Sequence, residues 1–187
     1  MSQGALALGA TAESSFAWLE LRGRSDDRDT VLDLDYRPTM WSSVHEARVA
    51  AQRAIAQSSV VVGNRTECEM AVGLDEPDAV VDDLLERGVR LAIVKLGGGG
   101  VLVADNSDRV RIDPLDIDVL CGLGAGDAFG GALVHGLLSG WDLERIGRFA
   151  NGAGAYVATQ LTCADAMPTT TMVDEVVEHG GTRGLQE

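Results

Sequence analysis

The sequence contains few aromatic residues and few basic residues. Phe, Trp and Tyr make up 4% of the 187 residues, so smaller aliphatic side chains must build the core. Fifteen Lys and Arg against 29 Asp and Glu give a formal net charge of -14. A surplus of negative charge of this size disfavours binding to nucleic acid and to anionic membranes. We therefore expect neither of these as a partner.

Cysteine is scarce, and long apolar runs are missing. Cys68, Cys121 and Cys163 are far apart and form no Cys-x-x-Cys pair, which argues against a zinc site or a disulfide framework. The N-terminus lacks the cationic start of a signal peptide, and no apolar run approaches the length of a membrane span. These absences predict a cytoplasmic protein with reduced thiols, in which a homo-oligomer remains possible.

Glycine and aliphatic residues are abundant, with 23 glycines and a hydrophobic fraction of 45%. Short buried strands alternate with helices, which predicts an α/β fold with a mostly parallel sheet covered on both faces. We predict strands at 30–35, 59–62, 90–95, 101–104 and 109–112, and helices at 14–21, 44–57, 65–72, 77–87, 126–138, 143–161 and 171–178. Residues 1–187 are expected to form a single domain whose ends, 1–29 and 180–187, are poorly defined.

The strongest motif is the glycine-rich segment 122–131, which contains Gly124, Ala125, Gly126 and Asp127. Glycines before a helix let backbone N–H groups approach an anion, and the helix dipole adds partial positive charge there. A carboxylate in this turn can accept a proton from a hydroxyl nucleophile. The alternative is that Asp127 only caps the helix. The motif has neither the ending of a P-loop nor the position of a Rossmann glycine motif.

Two further segments follow predicted strands. The loop 95–100 holds Lys95, which could reach a phosphate group, followed by four glycines; its alternative is a flexible hairpin loop. Asn64 and Glu67 are one helical turn apart, so Glu67 could hold Mg²⁺ while Asn64 faces phosphates. Their alternative is a helix start in which Asn64 caps and Glu67 completes a capping box.

The third polar segment contains Asp33, Asp35 and Arg37 at the end of the first predicted strand. Alternate residues of an extended chain lie on one side, and a guanidinium binds carboxylate or phosphate groups in a bidentate manner. The three side chains are therefore candidates for substrate binding, with a simple ion pair as the alternative. The polar ends of all these strands are expected to meet at one site.

Taken together, these segments resemble the ribokinase-like (PfkB) carbohydrate kinases. Members of that family carry a polar strand end with Arg, then Asn-x-x-Glu, then a Lys-Leu-Gly loop, then Gly-Ala-Gly-Asp. A helix with an Asn-Gly/Ala-Ala-Gly-Ala segment follows, which here is 151–155 and begins with Asn151. The order and approximate spacing match over residues 30–165.

The resemblance implies a three-layer α/β/α fold and ATP-dependent phosphorylation of a sugar hydroxyl with Mg²⁺. Asp127 would be the catalytic base, and the backbone of the preceding turn would form the anion hole. The implied ATP-binding residues are Lys95, Gly97, Gly98, Gly100, Asn64 and Asn151. Asp33, Asp35, Arg37 and Asp127 would bind the substrate, and Glu67 would act through the metal.

Residues 33–41 look most like those of kinases that phosphorylate the sugar acid 5-dehydro-2-deoxygluconate in inositol catabolism. Kinases of 2-keto-3-deoxygluconate or of nucleosides remain alternatives. Cys121 and Gly122 stand where the family has Asp-Thr, which puts its monovalent-cation site in doubt. The resemblance also implies N-terminal strands and a lid that this chain lacks, so we expect a C-terminal portion. A catalytically incompetent remnant that still binds nucleotide is a further alternative.

Overall fold

The computed structural model describes residues 1–24 and 28–182, which form a mixed α/β fold. Its strands are β1 (Val31–Asp33), β2 (Val60–Asn64), β3 (Leu91–Lys95), β4 (Val101–Asp105) and β5 (Arg109–Ile112). Its helices are α1 (Gly9–Arg22), α2 (Val44–Ile55), α3 (Arg65–Val72), α4 (Pro77–Glu86), α5 (Ala125–Leu138), α6 (Leu143–Ala158) and α7 (Thr170–Glu178). The predicted α/β class, with strands and helices in alternation, is confirmed.

The strands form one sheet in the order β1-β2-β3-β4-β5. The first three strands are parallel, and their register pairs Asp33 with Val62 and Asn64 with Lys95. The Val, Ile and Leu side chains of β2, β3 and β4 are buried, as expected for strands covered on both faces. This register aligns the ends of the first three strands and brings their polar residues to one edge.

The chain divides into two compact units, which are residues 1–96 with 102–109, and residues 97–101 with 110–187. The first unit has a core of aliphatic side chains from β1, β2, β3 and the helices α1 to α4. In the second unit, α5, α6 and α7 bury Phe129, Leu133, Ile146, Phe149 and Val176. That the whole chain is a single kinase domain stays a prediction.

Glycines allow close packing between helices of the second unit, as their composition predicts. A Cβ atom on Gly136 of α5 would lie 2.9 Å from a side-chain carbon of Ile146 on α6. A Cβ atom on Gly152 of α6 would lie 2.7 Å from the side chain of Val177 on α7. Neither position has room for a side chain, so glycine sets how closely these helices approach each other.

The first strand and the first helix differ most from the predicted boundaries. The predicted strand 30–35 ends at Asp33, because the Asp33 side chain accepts a hydrogen bond from the backbone N–H of Asp35 and the chain turns. The predicted helix 14–21 extends over Gly9–Arg22. Part of both predicted ends, residues 25–27 and 183–187, lies outside the described residues. Within the described part of the chain, no helix is long and apolar enough to cross a membrane.

Candidate functional site

The glycine turn of the second unit forms the start of α5. Gly124 occupies the N-cap position with φ of 84°, a left-handed conformation that favours glycine. Among the described residues, no side chain caps this end of the helix. The first N–H groups of a helix have no partner within the helix. The N–H of Ala125 donates to the carbonyl oxygen of Gly122 at 3.3 Å, so the N–H groups of Gly126 and Asp127 are the ones left for a ligand placed there. The turn therefore has the geometry of an anion-binding site.

Asp127 lies in the first turn of α5, with an exposed side chain. Within residues 1–24 and 28–182 its carboxylate makes no hydrogen bond or ion pair. Because Gly124 is the N-cap residue, Asp127 does not cap the helix, and that alternative interpretation is not supported. The carboxylate is thus available to a ligand next to the N–H groups of the turn.

Two residues that the sequence did not suggest pack behind this turn. A Cβ atom on Gly124 would lie 2.6 Å from Cβ of Cys163, and one on Gly154 of α6 would lie 3.1 Å from the carbonyl oxygen of Ala125. Both contacts are closer than real Cβ atoms readily accept, so the turn is tightly enclosed on this side. This packing restricts how far the backbone of the turn can move toward Cys163 and α6.

In the first unit, Asn64 and Glu67 form a complete capping box at the start of α3. The Asn64 side chain accepts a hydrogen bond of 2.9 Å from the N–H of Glu67. The Glu67 carboxylate accepts one of 2.6 Å from the N–H of Asn64. The capping box that the sequence analysis gave as the alternative is therefore present. It uses only part of the hydrogen-bond accepting capacity of the Glu67 carboxylate. Metal binding by Glu67 stays a prediction.

Lys95, the last residue of β3, lies beside two carboxylates. Its Nζ atom is 3.7 Å from Oδ1 of Asp33 at the end of β1 and 3.9 Å from Oε2 of Glu67 on α3. The three side chains are 18%, 22% and 12% exposed. The structure thus combines one residue from each of three predicted segments into a half-buried charged cluster. Lys95 is also the only lysine in the sequence.

Asp35 and Arg37 take a different arrangement. Nη2 of Arg37 lies 2.8 Å from Oδ1 of Asp35, and the Ser2 hydroxyl donates a hydrogen bond to Oδ2 of Asp35. The Arg37 side chain is 58% exposed, so its other N–H groups are accessible to solvent. The ion pair named as the alternative is therefore present. Asp33 turns to Lys95 instead of sharing one side with these two residues.

The remaining predicted ATP-binding residues belong to the second unit. Gly97 and Gly98 have open space around them, whereas a side chain on Gly100 would collide with the carbonyl oxygen of Ile112 in β5. Gly100 is thus required by the close approach of its neighbour. The Asn151 side chain donates a hydrogen bond of 3.3 Å to the carbonyl oxygen of Asp113. A role for these residues in ATP binding stays a prediction.

Burial changes the acidity of two neighbouring groups on α3. It raises the pKa of Glu67 above its ordinary value, and this rise is opposed by the positive charge of Lys95 and by the hydrogen bond from Asn64. Burial, together with the charge of Glu67, raises the pKa of the Cys68 thiol to about 12. Cys68 therefore stays a neutral thiol and belongs to the core.

We expect Glu67→Gln to change how stability depends on pH. Gln keeps an oxygen acceptor for the capping box and removes the buried charge. Because the pKa of Glu67 is raised in the folded state, its proton stabilises the fold below the ordinary pKa, and this contribution is lost as the pH rises through the raised value. In urea unfolding without divalent cations, the variant should gain stability relative to the wild type as the pH rises from about 4, the ordinary value for Glu, through the raised pKa of Glu67.

Glu69→Gln is the matched control, because it removes an exposed charge from the same helix. A difference between Glu67→Gln and the wild type that shrinks with rising pH would contradict the direction assigned to the pKa of Glu67.

The oxygen donors beside Lys95 fit Mg²⁺, the metal that the motifs imply. Mg²⁺ is usually bound through one or two carboxylates, with water and substrate phosphates completing the shell. Asp33 and Glu67 supply two carboxylates that face the same cation, which is the donor chemistry that Mg²⁺ requires. No group of three or more His, Cys, Asp or Glu side chains suited to a metal occurs in the described part of the chain. A metal here would therefore depend on phosphate and water for its other ligands.

Comparison with known proteins decides the family. Residues 7–170 match the model of the pfkB family of carbohydrate kinases, which is most of the chain. This chain belongs to the PfkB family. Its glycine turn, its Asn-x-x-Glu segment and its Lys-Leu-Gly loop all lie inside the matched region, so the resemblance noted from the sequence is confirmed.

The curated relatives include several proteins named 5-dehydro-2-deoxygluconokinase. The one from Clostridium tetani is 27% identical over 191 residues, covering 96% of this chain and 56% of that protein. The one from Photobacterium profundum is 30% identical over 161 residues, covering 83% of this chain and 49% of that protein. The chain thus spans about half the length of the curated relatives that it matches.

Solved structures of other kinases share the fold. Fructokinase from Vibrio cholerae, in its form with fructose, ADP and calcium ion, matches with a TM-score of 0.83 at 24% identity, over 94% of this chain and 58% of that one. Aminoimidazole riboside kinase from Salmonella enterica, complexed with aminoimidazole riboside and an ATP analogue, matches with a TM-score of 0.80 at 24% identity. It covers 94% of this chain and 60% of that one. The predicted ribokinase-like fold is confirmed.

Proposed function

We propose that this PfkB-family chain performs the phosphoryl-transfer chemistry of an ATP-dependent sugar kinase. The observation that carries the proposal is the start of α5. There an exposed carboxylate, which has no partner among residues 1–24 and 28–182, follows a glycine turn that no side chain in these ranges caps. A base and a set of anion-binding N–H groups are the two things that transfer of a phosphoryl group to a hydroxyl needs from a protein.

Asp127 is the proposed base. Its carboxylate would accept the proton of the attacking sugar hydroxyl and so make that oxygen a better nucleophile. The N–H groups of Gly126 and Asp127, which the hydrogen bond from Ala125 to Gly122 leaves unused, would hold the oxygens of the transferred phosphoryl group, on which negative charge is spread in the transition state. The enclosed packing behind Gly124 supports this role, because N–H groups held in place need no reorganisation during the reaction.

Glu67 and Asp33 are the proposed residues that hold Mg²⁺, with Asn64 positioning Glu67 through the capping box. Bound Mg²⁺ would neutralise negative charge on the ATP phosphates. Burial of the Glu67 carboxylate strengthens its interaction with any cation, since neighbouring water screens it less. Gly97, Gly98, Gly100 and Asn151 are the proposed residues of the ATP-binding segment.

The proposed acceptor is a sugar acid, 5-dehydro-2-deoxygluconate, which places the reaction in inositol catabolism. The names of the curated relatives support this substrate, and so does Arg37. Its exposed guanidinium has donors beyond those facing Asp35, and these suit the carboxylate of an acidic sugar. Asp35 would keep the guanidinium in place for that contact.

The test is ATP-dependent phosphorylation over a panel of neutral sugars, sugar acids and nucleosides. The reaction is measured by the release of ADP, and the product is identified by mass spectrometry. We expect the sugar acids, and 5-dehydro-2-deoxygluconate above all, to be phosphorylated. Binding of ATP by calorimetry without turnover on any panel member would contradict the proposed activity and favour a nucleotide-binding role. Turnover only on neutral sugars or on nucleosides would contradict the proposed substrate class while leaving the chemistry intact.

A further inference from the structure

The strongest unassigned feature is the position of Lys95 among the charges of the first unit. Every other basic side chain in the sequence is an arginine, and the single lysine lies where β1, β3 and α3 bring two carboxylates together. Arginine would serve equally well in exposed ion pairs, and it does so at Arg87 and Arg148. An ammonium group differs from a guanidinium in being a compact point charge with rotatable donors.

The fold builds this arrangement from the strand register. Asn64, at the end of β2, is paired with Lys95, and Glu67 follows one helical turn after Asn64. Asp33 ends the neighbouring parallel strand on the other side of β2. Because the capping box fixes one oxygen of Glu67, the carboxylate cannot turn away from the sheet edge. The carboxylates of Asp33 and Glu67 therefore both face the ammonium group of Lys95.

The contacts of the ammonium with Asp33 and Glu67 are ionic. At 3.7 Å and 3.9 Å, they are longer than a normal N–H···O hydrogen bond. Contacts of this kind depend on charge and only weakly on direction, so another small cation can take the place of the ammonium group. A divalent ion brings twice the charge to the same pair of carboxylates.

We propose that Lys95 is a positioning residue that acts as the resident cation of the Asp33–Glu67 pair, and that a divalent cation displaces its ammonium group. This inference rests on the proposed function, since it concerns the metal that the kinase would use. In the nucleotide-free chain the ammonium neutralises the two carboxylates and holds them in place. When Mg²⁺ enters, the ammonium leaves the pair and becomes available to phosphate oxygens.

The exchange unites two interpretations of the same loop. A lysine that only binds phosphate would have no reason to face two carboxylates, and a lysine that only closes an ion pair would compete with the metal. Displacement assigns both tasks to Lys95 in sequence. It also orders the events, because the ammonium reaches the nucleotide only after the metal has arrived.

A single lysine makes the exchange directly observable. Protein grown with ¹³C-lysine should give one set of Cε–Hε signals in NMR spectra, and that set belongs to Lys95. We expect titration with Mg²⁺, without nucleotide and at constant ionic strength, to move this signal along a saturable curve. The shift should be absent in Glu67→Gln, which keeps the capping box and removes one carboxylate. A Lys95 signal that Mg²⁺ leaves unmoved in the wild type would overturn the proposal.

Variants of Lys95 provide the second measurement. Lys95→Met removes the ammonium that faces both carboxylates and leaves the Met1 ammonium, whose charge interacts with Asp33. We therefore expect nucleotide-free Lys95→Met to bind Mn²⁺ about threefold to tenfold more tightly than the wild type, as measured by electron paramagnetic resonance. Lys95→Arg keeps a positive charge and should bind Mn²⁺ as weakly as the wild type. Equal or weaker Mn²⁺ binding by Lys95→Met would overturn the proposal.

The two measurements do not depend on catalysis. Neither contains ATP or sugar, so a chain that fails to phosphorylate any substrate can still show the exchange. A chain that phosphorylates sugars without the exchange would refute the role of Lys95 alone. If Lys95→Met does not fold, the comparison of wild type and Glu67→Gln by NMR still decides the question.

Discussion

Asp127→Asn is expected to lower the rate of sugar phosphorylation by about 10²- to 10⁴-fold, the usual contribution of a general base. Asn has the same shape as Asp but cannot accept the proton of the sugar hydroxyl. The exposed side chain makes no hydrogen bond or ion pair within residues 1–24 and 28–182, so the substitution should leave stability unchanged. The dissociation constant for ATP, from calorimetry, should stay close to that of the wild type.

Asp174→Asn is a suitable control for this experiment, because it removes an exposed carboxylate from α7 in the same unit. Its rate should match that of the wild type. Substantial kcat in Asp127→Asn would refute the base assignment. A parallel loss of ATP binding would instead show that the carboxylate serves the nucleotide.

The second large effect is expected for Gly124→Ala. Its φ of 84° is unfavourable for alanine, and the new Cβ atom would lie 2.6 Å from Cβ and 3.2 Å from Cα of Cys163. Relieving the contact must move either the turn or the segment that carries Cys163. We expect a loss of about 2–4 kcal/mol in the free energy of unfolding by urea, together with a weaker affinity for ATP.

Gly122→Ala is the matched control in the same turn. A Cβ atom there meets nothing within 4 Å, and Gly122 is not among the glycines with a positive φ. The change in stability should stay within about 0.5 kcal/mol. If both substitutions were equally harmless, the tight packing behind the turn would not matter to the site.

The element types were predictable because local patterns determine them. The strands at 60–64 and 91–95 are short runs of Val, Ile and Leu closed by polar residues, and α3 begins at an Asn with Glu three positions later. The end of β1 was not predictable in the same way. The aliphatic pattern continues through Leu34, whose N–H still bonds to the carbonyl oxygen of Val62, whereas the N–H of Asp35 bonds to the Asp33 side chain instead of to the neighbouring strand.

The partners of the charged residues were less predictable, because they depend on sheet register and not on sequence distance. The alternation of residues along an extended chain predicts that Asp33 and Arg37 lie on one side and share a role. The structure pairs Asp33 with Lys95, 62 positions later, because β1 and β3 both flank β2. The sequence does show that Lys95 is the single lysine among 15 Lys and Arg residues, but not which carboxylates it faces.

The tight contact between Gly124 and Cys163 could not be predicted from the sequence either. The glycine could be predicted from the motif, but a motif does not show what fills the space behind it. Cys163 lies 39 positions later, between α6 and α7, and nothing in its neighbourhood in the sequence suggests a contact with the turn. Such contacts follow only from the path of the folded chain.

The single lysine has a practical consequence for handling the protein. Apart from the α-amino group, Lys95 is the only primary amine available to reagents such as succinimidyl esters. Random amine coupling to a biosensor surface or a fluorophore would therefore direct much of the label to the charged cluster beside Glu67, and measured affinities would be distorted. Attachment through an added affinity tag avoids that position.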